Sequence, residues 1–275
     1  MIRKLFYQLS PLLRFLVRYV AYLPADLILG RKNKILPPRR LIYTGRGDFE
    51  RQGREWLEFF IREAGLQPSS SVLDIGSGIG RIAIPMMDWL KGPYTGFDAV
   101  KAGVNWCRKN ISSRRPNFFF QFVDLRNDLY RHKGRNAAHF DFPFEPKSFD
   151  FICAISVFTH LLPEETENYF RQIRKVIKPG GYAVLTFFLT DEETHRLMAK
   201  NKDGLLFLYR FGHYSLMNLS VPSANVAYQR EYIYALAESN DLKIIKEIKG
   251  SWCGREKSHY LDFQDILVLH KPAGA

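Results

Sequence analysis

Three glycines at alternate positions, Gly76, Gly78 and Gly80, directly follow the apolar run Val72-Leu73-Asp74-Ile75. Glycine accepts dihedrals that a Cβ forbids and lets another group approach the backbone closely. An apolar helical pattern over Arg81–Lys91 comes next. Strand, tight glycine turn and helix is the layout of a nucleotide-type binding loop, in which the helix N-terminus presents unpaired N–H groups. The spacing here is G-x-G-x-G. Dinucleotide folds use G-x-G-x-x-G, which disfavours a nicotinamide oxidoreductase.

Further short runs repeat the theme of a strand that ends on an acid. Tyr94-Thr95-Gly96-Phe97-Asp98 places an acid 24 residues after Asp74. Phe118–Val123 leads into Asp124-Leu125, and Phe151–Ile155 opens into Ser156-Val157-Phe158-Thr159-His160. Helical patterns cover Arg54–Ala64, Val100–Ile111, Pro163–Lys178 and Glu231–Ser239, and Pro179-Gly180-Gly181 reads as a helix stop. Tyr182–Leu189, Leu242–Ile248 and Phe263–His270 complete the strands.

This ordered set resembles motif I and the following strands of the class I S-adenosylmethionine (SAM)-dependent methyltransferases of small-molecule type, over roughly residues 66–190. The resemblance implies an α/β, Rossmann-like sheet of seven strands with the last antiparallel. It implies SAM as cofactor and S-adenosylhomocysteine as product. It assigns Gly76, Ser77, Gly78 and Gly80 to the cofactor turn, with Asp74 ordering that turn and reaching toward the methionine amine. Asp98 is assigned to the ribose, Asp124 and the backbone of Leu125 to the adenine, and the backbone near Ser156 to the methionyl end. His160 is the candidate general base, since a histidine after strand four titrates near neutrality; the alternative is a capping or packing histidine before Pro163. Tyr209, His213, Tyr214 and Glu231 are candidate substrate residues. No His/Cys cluster has metal spacing, so no metal is expected.

Two stretches exceed ordinary loop length, 125–145 and 190–229. Both are expected at the ligand end of the sheet, shaping a pocket or a lid. The second contains Leu205-Leu206-Phe207-Leu208-Tyr209-Arg210-Phe211, which suits an apolar acceptor or ordinary packing.

The net charge is +12, and residues 1–54 carry +9 of it from twelve Lys/Arg against Asp26, Asp48 and Glu50. Residues 1–42 are therefore read as a basic helical arm and linker before a catalytic region at 43–275. Apolar residues at Ile2, Leu5, Phe6, Leu9, Leu12, Leu13, Leu16, Val17 and Val20 mark one helical face, opposite Arg3, Lys4, Arg14 and Arg18. Pro11 kinks or divides that helix, and Arg31-Lys32-Asn33-Lys34 with Pro37-Pro38-Arg39-Arg40 forms a basic linker. Charges interrupt the run, so a spanning helix or signal peptide is not expected. The arm either lies on an anionic membrane or caps the cofactor pocket. Three cysteines without C-x-x-C suit a cytoplasmic setting, with peripheral attachment at the inner membrane face if the arm binds lipid.

The expected activity is methyl transfer to a hydroxyl or amine of a small molecule, lipid or lipid-linked glycan. An RNA methyltransferase gripping nucleic acid through the arm is an alternative, disfavoured by a near-neutral catalytic region; a non-catalytic SAM-binding protein is another. Strand four lacks the Asn/Asp-Pro-Pro-aromatic loop of adenine and glutamine amino-methylating enzymes, and Cys153 is not preceded by proline as the nucleophile of cytosine C5 enzymes is. Sequence leaves the acceptor atom and oligomeric state open.

Overall fold

The computed structural model describes residues 11–28, 35–43, 47–128, 133–200, 205–256 and 262–274. The expected apolar positions from Ile2 to Leu9, with Arg3 and Lys4, and the 31–34 stretch lie outside the described residues, as do the side chains of Leu12, Arg14 and Arg18.

The described residues begin with helix α1 (Pro11–Ile28). Helix α2 (Phe49–Glu63) is capped by Asp48, whose carboxylate accepts the N–H groups of Glu50 and Arg51. Strand β1 (Val72–Ile75), the one-turn helix α3 (Ala83–Met86), β2 (Tyr94–Asp98), α4 (Lys101–Cys107), β3 (Phe118–Phe122) and β4 (Phe149–Ala154) follow. Helix α5 (Pro163–Val176) leads into β5 (Ile177–Phe187). After β6 (Leu189–Thr190) come α6 (Glu192–Lys200), β7 (Tyr209–Phe211), β8 (Tyr214–Leu216) and β9 (Val226–Gln229). Helix α7 (Arg230–Ser239), β10 (Lys243–Ile248) and β11 (Asp265–His270) end the fold.

Seven strands form the main sheet in the order β10-β11-β5-β4-β1-β2-β3. Neighbours from β3 to β5 are parallel, and β11 runs antiparallel to both β5 and β10. This is the expected seven-stranded sheet with its last strand reversed. Strands buried on both faces need apolar residues on both, and two cores result. Leu73, Ile75, Phe97, Ile152 and Leu185 face α5 and α7 on one side. Val72, Tyr94, Phe118, Phe151 and Val184 face α2, α3 and α4 on the other.

Three local expectations are corrected. The helix expected over Arg81–Lys91 is a single turn, because Pro85 has no N–H and its ring opposes the carbonyl four residues back. The chain closes instead through tighter bonds such as Met87 N–H to Ile84 O and Trp89 N–H to Met86 O. Helix α5 ends at Val176, and Pro179-Gly180-Gly181 lies inside β5 as an irregularity where the pairing jumps from Phe149–Ile177 to Phe151–Tyr182. Residues 190–229 are not a long loop. They carry α6 and a separate four-stranded sheet, β6-β9-β8-β7, over a small core of Phe188, Phe207, Ala227 and Trp252. The described parts of 125–145 pack in part into the main core. Phe140 and Phe142 are buried in the α5-side core. Asn168 Nδ2–H bonds the carbonyls of Ala137 and Phe140 at 2.9 Å each.

One acid is committed to the interior. Asp74 is 2 % exposed, on the α2/α3 side of β1. The Tyr94 hydroxyl donates to its Oδ2, and the Cys153 thiol to Oδ1 at 3.6 Å. Both oxygens are engaged beneath the glycine turn. Burial lifts the Asp74 pKa to about 7, against the hydrogen bonds that lower it. The unfolded value is about 4. Between those values the native state holds a proton that the unfolded chain has released, so stability falls as pH rises through this interval and levels off above it. Asp74→Asn removes the effect. Urea midpoints of the two proteins are expected to coincide near pH 4 and to separate in favour of the variant toward pH 8; parallel pH curves would refute this assignment.

Candidate functional site

The glycine turn sits at the carboxyl end of β1. Gly76, Gly78 and Gly80 have φ of 71°, 58° and 82°, the left-handed region that side chains disfavour. Space forbids side chains as well. A Cβ on Gly76 would lie 2.6 Å from Val157 Cγ2, and one on Gly80 would lie 2.7 Å from Ile111 Cδ1. The Gly76 and Ser77 N–H groups both bond Phe97 O, at 2.9 and 3.0 Å, which ties the turn to β2. Ser77 is itself buried over Gly96, whose missing side chain leaves room for it, and its hydroxyl has no partner among the described residues.

Asp98, at the end of β2, meets this turn. Its Oδ2 accepts Gly78 N–H at 2.8 Å, and its Oδ1 accepts Val100 N–H at 2.7 Å and the Tyr43 hydroxyl at 3.4 Å. Burial raises its pKa, and the three donors oppose that rise by favouring the charged form. Tyr43 went unnoticed in the sequence, because no periodicity marks a lone tyrosine 55 residues from its partner.

After β3, Asp124 is exposed and its carbonyl accepts Arg135 N–H at 2.8 Å. Leu125 buries its side chain among the α5-side core, and its N–H closes a tight turn onto Val123 O at 3.0 Å. That amide is thus engaged locally. After β4, Ser156 is exposed with φ of 58°, an uncommon conformation for a residue with a Cβ. Its N–H donates to Thr186 Oγ1 at 2.7 Å, and its hydroxyl lies 3.1 Å from Gln264 Oε1. Gln264 brings the loop before β11 over this corner, another contact that sequence spacing does not reveal.

His160 closes the short turn Phe158–His160. Its Nδ1 lies 2.8 Å from the carbonyl of Ser223, in the turn before β9. A carbonyl only accepts, so Nδ1 carries the proton and Nε2 the lone pair of the neutral ring. Burial lowers the His160 pKa, against the opposing pull of the Ser223 and Ala224 carbonyls and of Asp128.

The small sheet holds three of the four substrate candidates. Tyr209 is 40 % exposed on its edge strand. His213 stacks on Tyr232 at 3.8 Å between centroids, and its Nε2 is buried without a partner among the described residues. Tyr214 stacks on Phe211 at 5.3 Å. Tyr228 of β9 anchors this sheet to the corner after β4: its hydroxyl donates to Leu161 O at 2.7 Å and pairs with Thr166 Oγ1 at 2.9 Å. Glu231 is not part of this group. It is exposed in the first turn of α7, in a shallow surface depression with Lys243 and Pro272 at the β10 edge, across the sheet from β2 and β3.

The architecture is similar to that of solved proteins. A Pyrococcus horikoshii OT3 protein superposes with a TM-score of 0.56 at 16 % identity, covering 90 % of this chain and 98 % of its own. The 1,6-didemethyltoxoflavin-N1-methyltransferase of Burkholderia thailandensis, solved with S-adenosylhomocysteine bound, gives 0.52 at 14 % identity over 92 % and 89 %. These likenesses bear on the fold. A curated relative, a sterol 24-C-methyltransferase of Gibberella zeae, is 24 % identical over 60 % of this chain and 42 % of its own length, so the chain spans less than half of that relative. Residues 49–245 match the family profile of a methyltransferase domain. With the glycine turn and Asp98 inside that span, the chain belongs to the methyltransferase-domain family of class I, whose cofactor is SAM.

Proposed function

We propose that the protein transfers the methyl group of SAM to a hydroxyl or amine of a small apolar acceptor, a lipid or a lipid-linked glycan, at an anionic membrane surface. The observation that carries the transfer reading is the pairing of the glycine turn with Asp98 through the Gly78 N–H at 2.8 Å. The cradle fits the cofactor: three left-handed glycines form a tight turn in which a Cβ at 76 or 80 would strike Val157 or Ile111, and an acid stands at the tip of β2. Gly76, Ser77, Gly78 and Gly80 would form the cradle, with Asp74 bracing it from below. Asp98 would take the ribose hydroxyls, Asp124 the exocyclic amine of adenine, with Leu125 fixing that turn, and the corner at Ser156 the methionyl end.

SAM supplies a methyl group on a sulfonium whose sulfur leaves without acid assistance, so positioning dominates the barrier. The imidazole of His160, oriented by Ser223 O, would take the proton of an acceptor hydroxyl. Tyr209, His213 and Tyr214 would line the acceptor side. The apolar character of the small sheet, and the sterol methyltransferases among the curated relatives, support an acceptor with apolar surface.

Helix α1 supports the membrane part. Leu13, Leu16, Val17, Val20 and Leu27 form one exposed stripe, from 43 % exposed at Leu13 to 74 % at Leu27. Tyr19, Leu23 and Asp26 occupy another face and are more buried. No helix among the described residues is long and apolar enough to cross a membrane, so α1 would lie in the interface, with the basic charge of residues 1–42 toward anionic headgroups.

Calorimetry is expected to detect S-adenosylhomocysteine binding, and Asp98→Ala to weaken it by at least about 10-fold, the loss of a charge-assisted pair; well-folded wild type that does not bind would overturn the enzyme reading. In transfer of labelled methyl to a panel of sterols and membrane lipids, His160→Gln is expected to lower kcat by about 100-fold without changing S-adenosylhomocysteine affinity. Unaltered kcat would remove His160 from the chemistry. The chain should sediment with phosphatidylcholine vesicles only when phosphatidylserine is included, less so at high salt, and Val20→Glu should release it. Equal binding to uncharged vesicles, or none to either, would refute the membrane reading.

A further inference from the structure

We propose that Tyr43 is a latch on the cofactor site, by which the N-terminal segment competes with the cofactor's ribose for Asp98; this rests on the cofactor reading above. A carboxylate offers about four lone-pair positions. At Asp98 three are taken, by Gly78 N–H at 2.8 Å, Val100 N–H at 2.7 Å and the Tyr43 hydroxyl at 3.4 Å. A ribose presents two hydroxyls to such an acid, and about one position is left for them.

The two backbone donors are fixed. Gly78 belongs to the turn, and Val100 immediately precedes α4. The phenol is the donor that can leave. Its distance is long beside the usual O–H···O range of about 2.5–3.0 Å, so it is also the weakest of the three. The berth it occupies depends on a missing side chain: a Cβ on Gly103 would stand 2.4 Å from the Tyr43 hydroxyl and 2.5 Å from Gly78 O.

Tyr43 has its own seating, distinct from the sheet. Ile35, Leu36, Leu41, Ile42 and Tyr43 pack as partly buried residues on the α2/α3-side core. Asp26 of α1 holds that segment from its other side. It accepts Arg39 N–H at 2.8 Å, Arg40 N–H at 3.1 Å and Arg40 Nη1–H at 3.2 Å, with its side chain 4 % exposed. Arg40 also lies over the Tyr19 ring at 5.3 Å. A continuous line of contacts therefore runs from α1 through residues 39–43 to the ribose acid. Cofactor affinity and the seating of the arm are coupled, and such coupling is reciprocal.

The test is calorimetric titration of the full chain with S-adenosylhomocysteine, in wild type, Tyr43→Phe and Asp26→Ala, each checked for an unchanged main thermal transition. Tyr43→Phe keeps the ring packing and removes the hydroxyl. It is expected to bind about fivefold tighter, equivalent to about 1 kcal/mol for one hydrogen bond. Asp26→Ala should shift affinity in the same direction with the phenol intact. Unchanged or weaker binding by Tyr43→Phe, with wild type still binding, overturns the latch and leaves the cofactor reading standing. Unchanged binding by Asp26→Ala overturns the link to the arm. Absence of binding in both wild type and Tyr43→Phe overturns latch and cofactor reading together.

Discussion

The turn between β1 and α3 is where backbone geometry and packing meet, and the rest of the site is arranged around it. Three left-handed glycines bring the chain off β1 and across to β2, where Gly76 and Ser77 donate to one carbonyl, Phe97 O. That double bond leaves the Gly78 N–H aimed at Asp98. Val157 closes over Gly76 and Ile111 over Gly80, so elements from both faces of the sheet define the shape of the turn. An alanine at 76 would suffer both the unfavourable φ and the collision, effects that add because one is local and the other tertiary.

Two acids on adjacent strands illustrate how environment separates roles. Asp74 and Asp98 both end up deeply buried, and desolvation raises both pKa values. Asp74 is met by a phenol and a thiol inside the core. Asp98 is met by two backbone N–H groups at the ligand end and by a phenol from a peripheral segment. Backbone donors are stationary and keep their positions on a carboxylate, whereas a side-chain donor on a separately seated segment occupies a position that a ligand can reclaim. Sequence spacing placed both acids at strand ends and did not distinguish them. The distinction depends on the inward or outward direction of each side chain and on what lies behind it, such as Tyr94 across from Asp74.

The main sheet was legible because its strands are short apolar runs punctuated by Gly, Pro and Asp, and because β1 to β5 alternate with helical patterns. Its failures have specific causes. Pro85 sits inside an apolar stretch whose periodicity looks helical, and removal of one donor shortens the helix to a turn. Pro179-Gly180-Gly181 has the composition of a stop, yet Gly180 at φ 79° lets β5 continue through it. The small sheet has strands of two to four residues, too short for alternation to register. It is specified by long-range contacts, among them Tyr228 on Leu161 O and His160 on Ser223 O. Tyr43 belongs to the same class of contact.

Those long-range contacts also explain why a cofactor half can be common to a family while the acceptor half is particular to one chain. The turn and Asp98 rest on the core sheet and on elements packed against it. The ring of His160 is oriented by the Ser223 carbonyl, and Ser223 N–H is in turn held by Asp128 at 3.2 Å. The orientation of that ring is therefore set jointly by the corner after β4, the chain after β3 and the small sheet. A substitution in the small sheet that moves the Ser223 carbonyl changes the tautomer preference and direction of the imidazole while leaving the glycine turn untouched. Residues 190–229 can diverge without disturbing the glycine turn, and the arm adds a second adjustable element, joined to the same sheet from its other face through Asp26 and Tyr43.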